Sequence, residues 1–438
     1  MEGRRGAEGY TSCLASFLIN QYTMKTRLLA FWKKKKMDEG LGLSLNALVW
    51  KRFKQNTMAM CSLAVILLFV LVAVLGYAIA PDGTPHSNQQ YLELAVQKPM
   101  AKANFLYVAK NEAPEPSNFI KNMLYGKKLP YYAYPIYKAT FVADSVCMET
   151  YTGSEPNDGE LKKFHLADVA FALNERCPII RNGDSITFTT MQHGQQTLTI
   201  SQLQEVVKIE NMATRTFVLG TDRYGRDVLS QIMLGSRVSL SVGFIAIAIA
   251  LIIGIVLGAL AAYYGGAVDS VIMWFINVVW SIPTVLLVIA ITFVLGKGFW
   301  QVFVAVGLTM WVDVARVVRG QVLSIKEKEY VEAAKALGFT PFRTIFNHVL
   351  PNIWGAVIVI AASNFASAIL LEAGLSFLGI GVQPPMPSWG TMVKENYAYI
   401  LLDSAYLALI PGFAIMLIVL AFMIVGSGIR NALDIKNN

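Results

Sequence analysis

The sequence predicts an all-α polytopic membrane protein with six transmembrane helices and a small α+β domain inserted after the first. Three observations carry this expectation. Hydrophobic residues make up 55% of the chain and charged residues only 15%, with a mean hydropathy of +0.49; a soluble globular chain carries about a quarter charged residues. Long apolar segments recur at Met58–Ala80 and at roughly 240–263, 269–295, 301–318, 353–376 and 400–426, each able to cross a hydrocarbon core of about 30 Å. From Pro81 to about Phe217 the composition turns polar, and no window there is apolar enough to cross a membrane.

Residues 1–56 read as a basic tail, densest at Lys33–Lys36, in which Met24 and Met37 would each serve as a later start. Leu45, Val49, Trp50 and Phe53 share one side of a basic helix with Lys51, Arg52 and Lys54. That pattern suits a segment lying on a membrane surface, the alternative being a disordered basic tail. The apolar run within 57–80 exceeds the ~7–15-residue core of a signal peptide, so it is read as an uncleaved span although Ala78-Ile79-Ala80 resembles a cleavage site. Within 81–217, Ser185–Thr190 alternates as a half-buried strand, and His193-Gly194 offers a turn into Gln196–Ile200. Leu166, Val169, Ala170 and Leu173 point to a helix. In the remaining region, 218–438, Gly243, Gly254, Gly258, Ala259 and Ala261 permit close helix packing. Pro283 and Pro411 predict kinks or irregular turns.

The stretch Glu329–Pro351 says most about function. Tyr330, Ala333, Ala334 and Leu337 fall at i, i+3, i+4 and i+7 on one face of a short helix. Lys328, Glu332 and Lys335 lie off that face at ion-pairing spacings. Gly338 stops the helix, because it takes positive φ without steric cost. Thr340-Pro341 then reads as an N-cap and N1 pair starting a second helix. Phe342, Ile345, Phe346 and Val349 give that helix an apolar face, and Pro351 closes it. A charged helix–turn–helix with two apolar patches, set between spans, is built to dock on another protein.

Glu332-Ala333-Ala334, Gly338 and Leu350-Pro351, at this spacing, resemble the EAA loop of ABC importer permeases. His348 replaces an aliphatic residue frequent in that pattern, as is common in the peptide-permease branch. Leu219-Gly220-Thr221-Asp222-x-x-Gly225-Arg226-Asp227, followed by Gly235-x-Arg237-Val-Ser-Leu240, resembles the C-type subunit of oligopeptide/dipeptide permeases. Leu371–Gly381 and Pro384–Gly390 match the same pattern. Read from residues alone, 219–230 is a turn-rich stretch with an amphipathic helix (Val228, Ile232, Gly235) entering a span. The resemblance covers 45–80 loosely and 219–434 well, and leaves out 1–44 and most of 81–217.

This resemblance implies a type I permease subunit of an ATP-driven importer in a bacterial inner membrane. Its EAA loop, 320–352, would couple to the ATPase through Glu329, Glu332, Ala333, Ala334, Gly338, Leu350 and Pro351. The implied partners are a homologous permease, two ABC ATPase subunits, an extracytoplasmic substrate-binding protein and membrane lipid. No catalytic, cofactor or metal site is expected in this chain, ATP and magnesium being held by the ATPase subunits. Peptides are the implied cargo, with nickel or another small solute as the alternative. A membrane-anchored sensor or scaffold acting through 81–217 is the reading from a different class.

Placing the EAA loop inside puts both termini in the cytoplasm and 81–217 outside. The lysines of that insertion do not contradict this, because the positive-inside bias is weak for long translocated segments. The formal net charge of +8 then needs no nucleic-acid partner. Cys147 and Cys177 share the oxidising side, where either a bridge or two free thiols is compatible with the sequence; Cys13 and Cys61 do not lie there. No Gly-x-x-x-x-Gly-Lys-Ser/Thr phosphate loop occurs, and the four histidines are dispersed. Among intramembrane polar residues, which are costly and invite a functional reading, stand Asp269, Asn277, Asp313, Arg316, Asn364 and Glu372. Asp313 and Arg316, at i and i+3, either neutralise each other or leave Arg316 to snorkel beside Arg319. Glu372 either contacts substrate or packs at an interface.

Overall fold

The computed structural model describes residues 45–112, 118–153, 156, 158–192, 194–296 and 298–433. Cys13, Met24, Lys33–Lys36, Met37 and His193 lie outside the described residues. Helix α1 (Leu45–Gln55) buries Phe53 against Ala59 and Gly428 and stacks Trp50 on it at 5.7 Å. Helix α2 (Thr57–Ile79) starts where the Asn56 side chain accepts from the Ala59 N–H at 3.1 Å. It is apolar on every side, and Leu67, Leu68, Leu71 and Val74 stay exposed, as befits a helix solvated by lipid.

The insertion is built on a five-stranded antiparallel sheet in the order β4-β3-β2-β1-β8. Its strands are β1 (Ala101–Ala109), β2 (Tyr131–Val142), β3 (Ser145–Thr150), β4 (Leu161–His165) and β8 (Met212–Phe217). A second sheet joins β5 (Ile180–Asn182), β6 (Ser185–Thr190) and β7 (Gly194–Thr199) as consecutive hairpins. The expected β6–β7 pairing is present, with Ser185 opposite Thr199 and Thr190 opposite Gly194. Of three short helices, α3 (Phe119–Tyr125) lies against the end of α2. The others, α4 (Leu166–Ala170) and α5 (Ile200–Glu210), cover one face of the large sheet and bury Leu106, Met148, Leu166, Phe188 and Leu203. Leu173, expected on α4, instead pairs with Thr190 in an isolated bridge, because the helix ends at Ala170 and the chain turns extended at Phe171.

After the insertion, α6 (Val228–Tyr264) runs for 37 residues, about 55 Å at 1.5 Å per residue. The amphipathic entry helix and the following span are thus one helix, begun well before residue 240. Helices α7 (Gly266–Trp280) and α8 (Thr284–Leu295) replace the expected single span over 269–295. They meet at a 91° bend across Ser281-Ile282-Pro283. Pro283 has no N–H to give and its ring obstructs a helical carbonyl four residues back, so the chain leaves the helix there. Helix α9 (Phe299–Lys326) leads into α10 (Glu329–Ala336). Helix α11 runs from Pro341 to Phe377, and α12 (Trp389–Asn396) and α13 (Tyr406–Leu433) complete the chain. By length and composition, five described helices can cross a membrane, or six spans form if the bent pair counts as one.

The tightest packing is between α6 and α9, and it depends on missing side chains. A Cβ on Gly258 would stand 2.5 Å from the Ala315 carbonyl oxygen, and one on Gly254 2.5 Å from Val314 Cβ. On the facing helix, a Cβ on Gly307 would stand 2.8 Å from Ile249 Cβ. Because the obstruction at Gly258 is backbone, it cannot rotate away. Gly258→Val should therefore destabilise the protein by about 1–3 kcal/mol, read as a lower apparent melting temperature in detergent. Gly320→Ala, whose Cβ would meet nothing within 4 Å, should leave that temperature unchanged or raise it.

Candidate functional site

Three groups of residues singled out by the sequence occupy three separate places. The first is a clasp made by Leu219–Ser230. Gly220 and Gly225 hold φ of +76° and +71°, and their missing side chains admit foreign backbone: a Cβ on Gly225 would lie 1.7 Å from the Tyr91 carbonyl oxygen. No other residue fits both demands. Thr221 accepts from the Gln97 N–H at 2.8 Å and donates to the Leu94 carbonyl, tying down the segment that follows α2. The Tyr406 hydroxyl reaches the same strap, donating to the Gln97 carbonyl at 2.7 Å.

Asp222 takes the backbone N–H groups of Tyr224 and Arg226, each at 2.9 Å, and the Arg226 guanidinium at 2.6 Å. Arg226 reaches on to Glu395 of α12, also at 2.6 Å, with all three side chains largely buried. Burial works against the guanidinium charge, but the Asp222 and Glu395 carboxylates outweigh it and push its pKa above the ordinary arginine value. Asp227 caps α6 by accepting from the Ser230 N–H at 2.9 Å, while burial raises its carboxyl pKa. Ser230 in turn accepts from the Asp82 N–H at 2.9 Å. Arg237 donates to the Met123 and Leu124 carbonyls at the end of α3, at 3.1 and 3.2 Å. These residues tie the start of α6 to the segment that follows α2, to α3 and to α12. Glu395 escaped the sequence reading; the only signal for it was an acidic residue close behind the Pro384–Gly390 match.

The second place is the loop between α9 and α11. Val331 and Ala334 anchor α10 to the helical body, leaving Tyr330, Ala333 and Leu337 exposed, so the expected stripe Tyr330–Ala333–Ala334–Leu337 is split between two faces. The i, i+3 pair Val331/Ala334 meets the core while the same helix turns its other apolar residues outward. Glu329 and Glu332 are exposed in its first turn. Gly338 follows at φ +79°, with open space around it. Thr340 caps α11 through the Arg343 N–H at 3.4 Å, while Phe342 and Phe346, 70% and 51% exposed, lie with ring centroids 4.3 Å apart and planes tilted by 37°. Pro351 does not close this helix as expected. A wide π turn at Ile345–Val349, just before Leu350-Pro351, makes room for the proline, and α11 continues to Phe377.

The third place is a cavity of about 330 Å³ at the α7–α8 bend, bounded by α9 and α11. Trp280, Ile282, Thr284, Thr309, Asp313 and Ser367 are among its lining residues. Arg316 does not pair with Asp313. Its guanidinium lies 3.6 Å over the Trp280 ring and donates to the Asn277 side-chain oxygen at 2.7 Å. Asn364 is buried and donates to the Met310 carbonyl at 3.4 Å. Glu372 is fully buried away from this cavity, accepting from Ser376 at 2.8 Å and Ser239 at 3.2 Å. Asp269 forms a two-pronged pair with Arg319, both contacts at 2.6 Å. Cys147, in mid-strand on β3, and Cys177, after the Asn174 turn, are free thiols in this structure.

The fold and these places define a helical, polytopic membrane protein of the permease type. Residues 254–436 match the family described as "Binding-protein-dependent transport system inner membrane component", and residues 44–99 match "N-terminal TM domain of oligopeptide transport permease C". The dipeptide transport system permease protein DppC of Alkalihalophilus pseudofirmus is 43% identical over 217 residues, which are 50% of this chain and 71% of that protein. The glutathione transport system permease protein GsiD of Pectobacterium atrosepticum is 39% identical over 218 residues, 50% of this chain and 72% of that one. The oligopeptide transport system permease protein OppC of Bacillus subtilis is 38% identical over 217 residues, 50% and 71% respectively. The chain belongs to the family of binding-protein-dependent inner-membrane transport components.

Arg226→Met would leave two buried carboxylates facing each other without their cation. It should cost about 3–5 kcal/mol, seen as a lower melting temperature of the purified protein. Adding Glu395→Gln should restore part of the loss, since the two sites share one network. Equal melting temperatures for wild type and Arg226→Met would contradict the clasp.

Proposed function

We propose that this chain is the C-type permease subunit of an ATP-driven importer of small peptides, and that it forms the translocation pathway with a second, homologous permease. The observation that carries this reading is the outward face of the 329–351 loop. Tyr330, Leu337, Phe342 and Phe346 stay exposed on a framework whose other face, Val331, Ala334, Ile345 and Val349, is buried in the body. Large apolar side chains held rigidly outward beside Glu329 and Glu332 suit a partner that supplies an apolar groove with a basic rim. In the proposed assembly that partner is one of two ATPase subunits, which hold ATP and magnesium. Their closure pushes on α10 and, through α9 and α11, biases the bundle between two access states. The family membership and the peptide-permease relatives support the cargo assignment, with both termini cytoplasmic and residues 81–217 on the far side.

Phe342→Glu and Glu332→Lys should each leave the protein in the membrane while cutting substrate-stimulated ATP hydrolysis of the complex about tenfold or more, the scale of a lost interface anchor. Normal stimulation with both variants would sink the coupling assignment.

The insertion is proposed to receive the substrate-binding protein, because Pro81 and Phe217 bring it back to the start of α6 beside the clasp. Replacing 101–216 by a short flexible linker, which keeps the strap gripped by the clasp, should preserve ATPase association and basal hydrolysis while abolishing stimulation by the loaded binding protein. Full stimulation in the deletion would leave the domain a passive addition.

A further inference from the structure

The cavity at the α7–α8 bend has one charged residue among those lining it, Asp313. Asp313 stands at the middle of α9, as far as the helix allows from either end. Arg316, three residues on, attracts Asp313 through space but makes no contact ion pair with it, its guanidinium being stacked on Trp280 at 3.6 Å and bonded to Asn277 at 2.7 Å. Among the described residues Asp313 makes no hydrogen bond or ion pair, and its side chain is open to the cavity. A carboxylate at the centre of an apolar helix is costly unless something meets its charge.

Resting on the peptide-importer reading, we propose that Asp313 receives the free α-ammonium group of the cargo as it passes the bend. Two features of the site fit an ammonium ion. Thr284, Thr309 and Ser367 line the same cavity with neutral hydroxyl oxygens, which accept the two protons the carboxylate leaves unmatched. The volume of about 330 Å³ holds a short peptide end, not a whole protein segment. A divalent metal ion as cargo is a poorer fit. One carboxylate without companions does not assemble a coordination sphere, and no group of three or more His, Cys, Asp or Glu side chains gathers among the described residues.

The test measures a preference, not a rate. The complete transporter, with its partner permease, ATPases and binding protein, is reconstituted in vesicles, and uptake of trialanine is compared with uptake of N-acetyl-trialanine. The binding protein's own selectivity is common to every permease variant, so it cancels when preference ratios are compared. Asp313→Asn should lower the ratio of free-amine to blocked uptake about tenfold, the effect of losing one charge-assisted contact. Asp313→Glu should keep the wild-type ratio. An unchanged ratio in Asp313→Asn, even with lower uptake of both probes, would mean that Asp313 supports the assembly without touching the amine, and the proposal would be overturned. Wild-type vesicles that take up neither probe would overturn the peptide reading itself, a result distinct from an unchanged ratio.

Discussion

The close approach of α6 and α9 is the constraint on which the rest of the helical body depends. Gly254, Gly258 and Gly307 let two backbones meet at distances no side chain permits. In lipid there is no hydrophobic gain from hiding apolar groups, so such shape-fitting contact is what holds helices together. The pairing fixes the direction of α9, and α9 serves both the other places: Asp313 lies on it at the cavity, and its end at Lys326 delivers the chain to the 329–351 loop. Lys326 itself closes the arrangement by donating to the Tyr263 and Ala262 carbonyls at the end of α6, at 2.6 and 3.2 Å. One continuous helix thus joins the cavity to the start of the loop.

The clasp solves a different problem. A chain that leaves the first span, builds a whole domain and returns must be tied down where it re-enters. Two glycines with positive φ, an aspartate cap and the Asp222–Arg226 pair do so within a dozen residues, and Glu395 of α12 extends the chain of charges from outside them. Buried ion pairs of this kind contribute little net stability but are costly to break, which favours one geometry over its neighbours.

Much of this was legible in the sequence. Apolar length alone located the five long helices, since in lipid a helix must satisfy its own backbone, but not the break that splits 269–295 in two. The strand pair at Ser185–Thr199 followed from alternation, and Gly338 and Thr340 marked the loop helices through φ and capping requirements that are local. What was not legible depended on partners far along the chain. The Tyr330–Leu337 stripe was a true helical face but did not say which part of it meets the body; Val331 decides that by reaching the core. Asp313 and Arg316 satisfied the spacing of a pair, yet Trp280 and Asn277, brought in by the bend, compete for the guanidinium and win. Pro283 announced an irregularity but not a right angle, because the proline removes a hydrogen bond and tertiary packing then chooses the direction.

The π turn at Ile345–Val349 works as a phase shifter. A single wide turn inserts about one residue into the helical screw, so everything before it is rotated by about 100° relative to an uninterrupted α-helix. The azimuth at which Phe342 leaves the molecule is thus set nine residues away, by the room made for Pro351, while the body-facing residues of α11 beyond the turn keep their own register. Within one continuous rod, the surface offered outward and the surface packed inward are indexed separately, and either can change in sequence without dragging the other around.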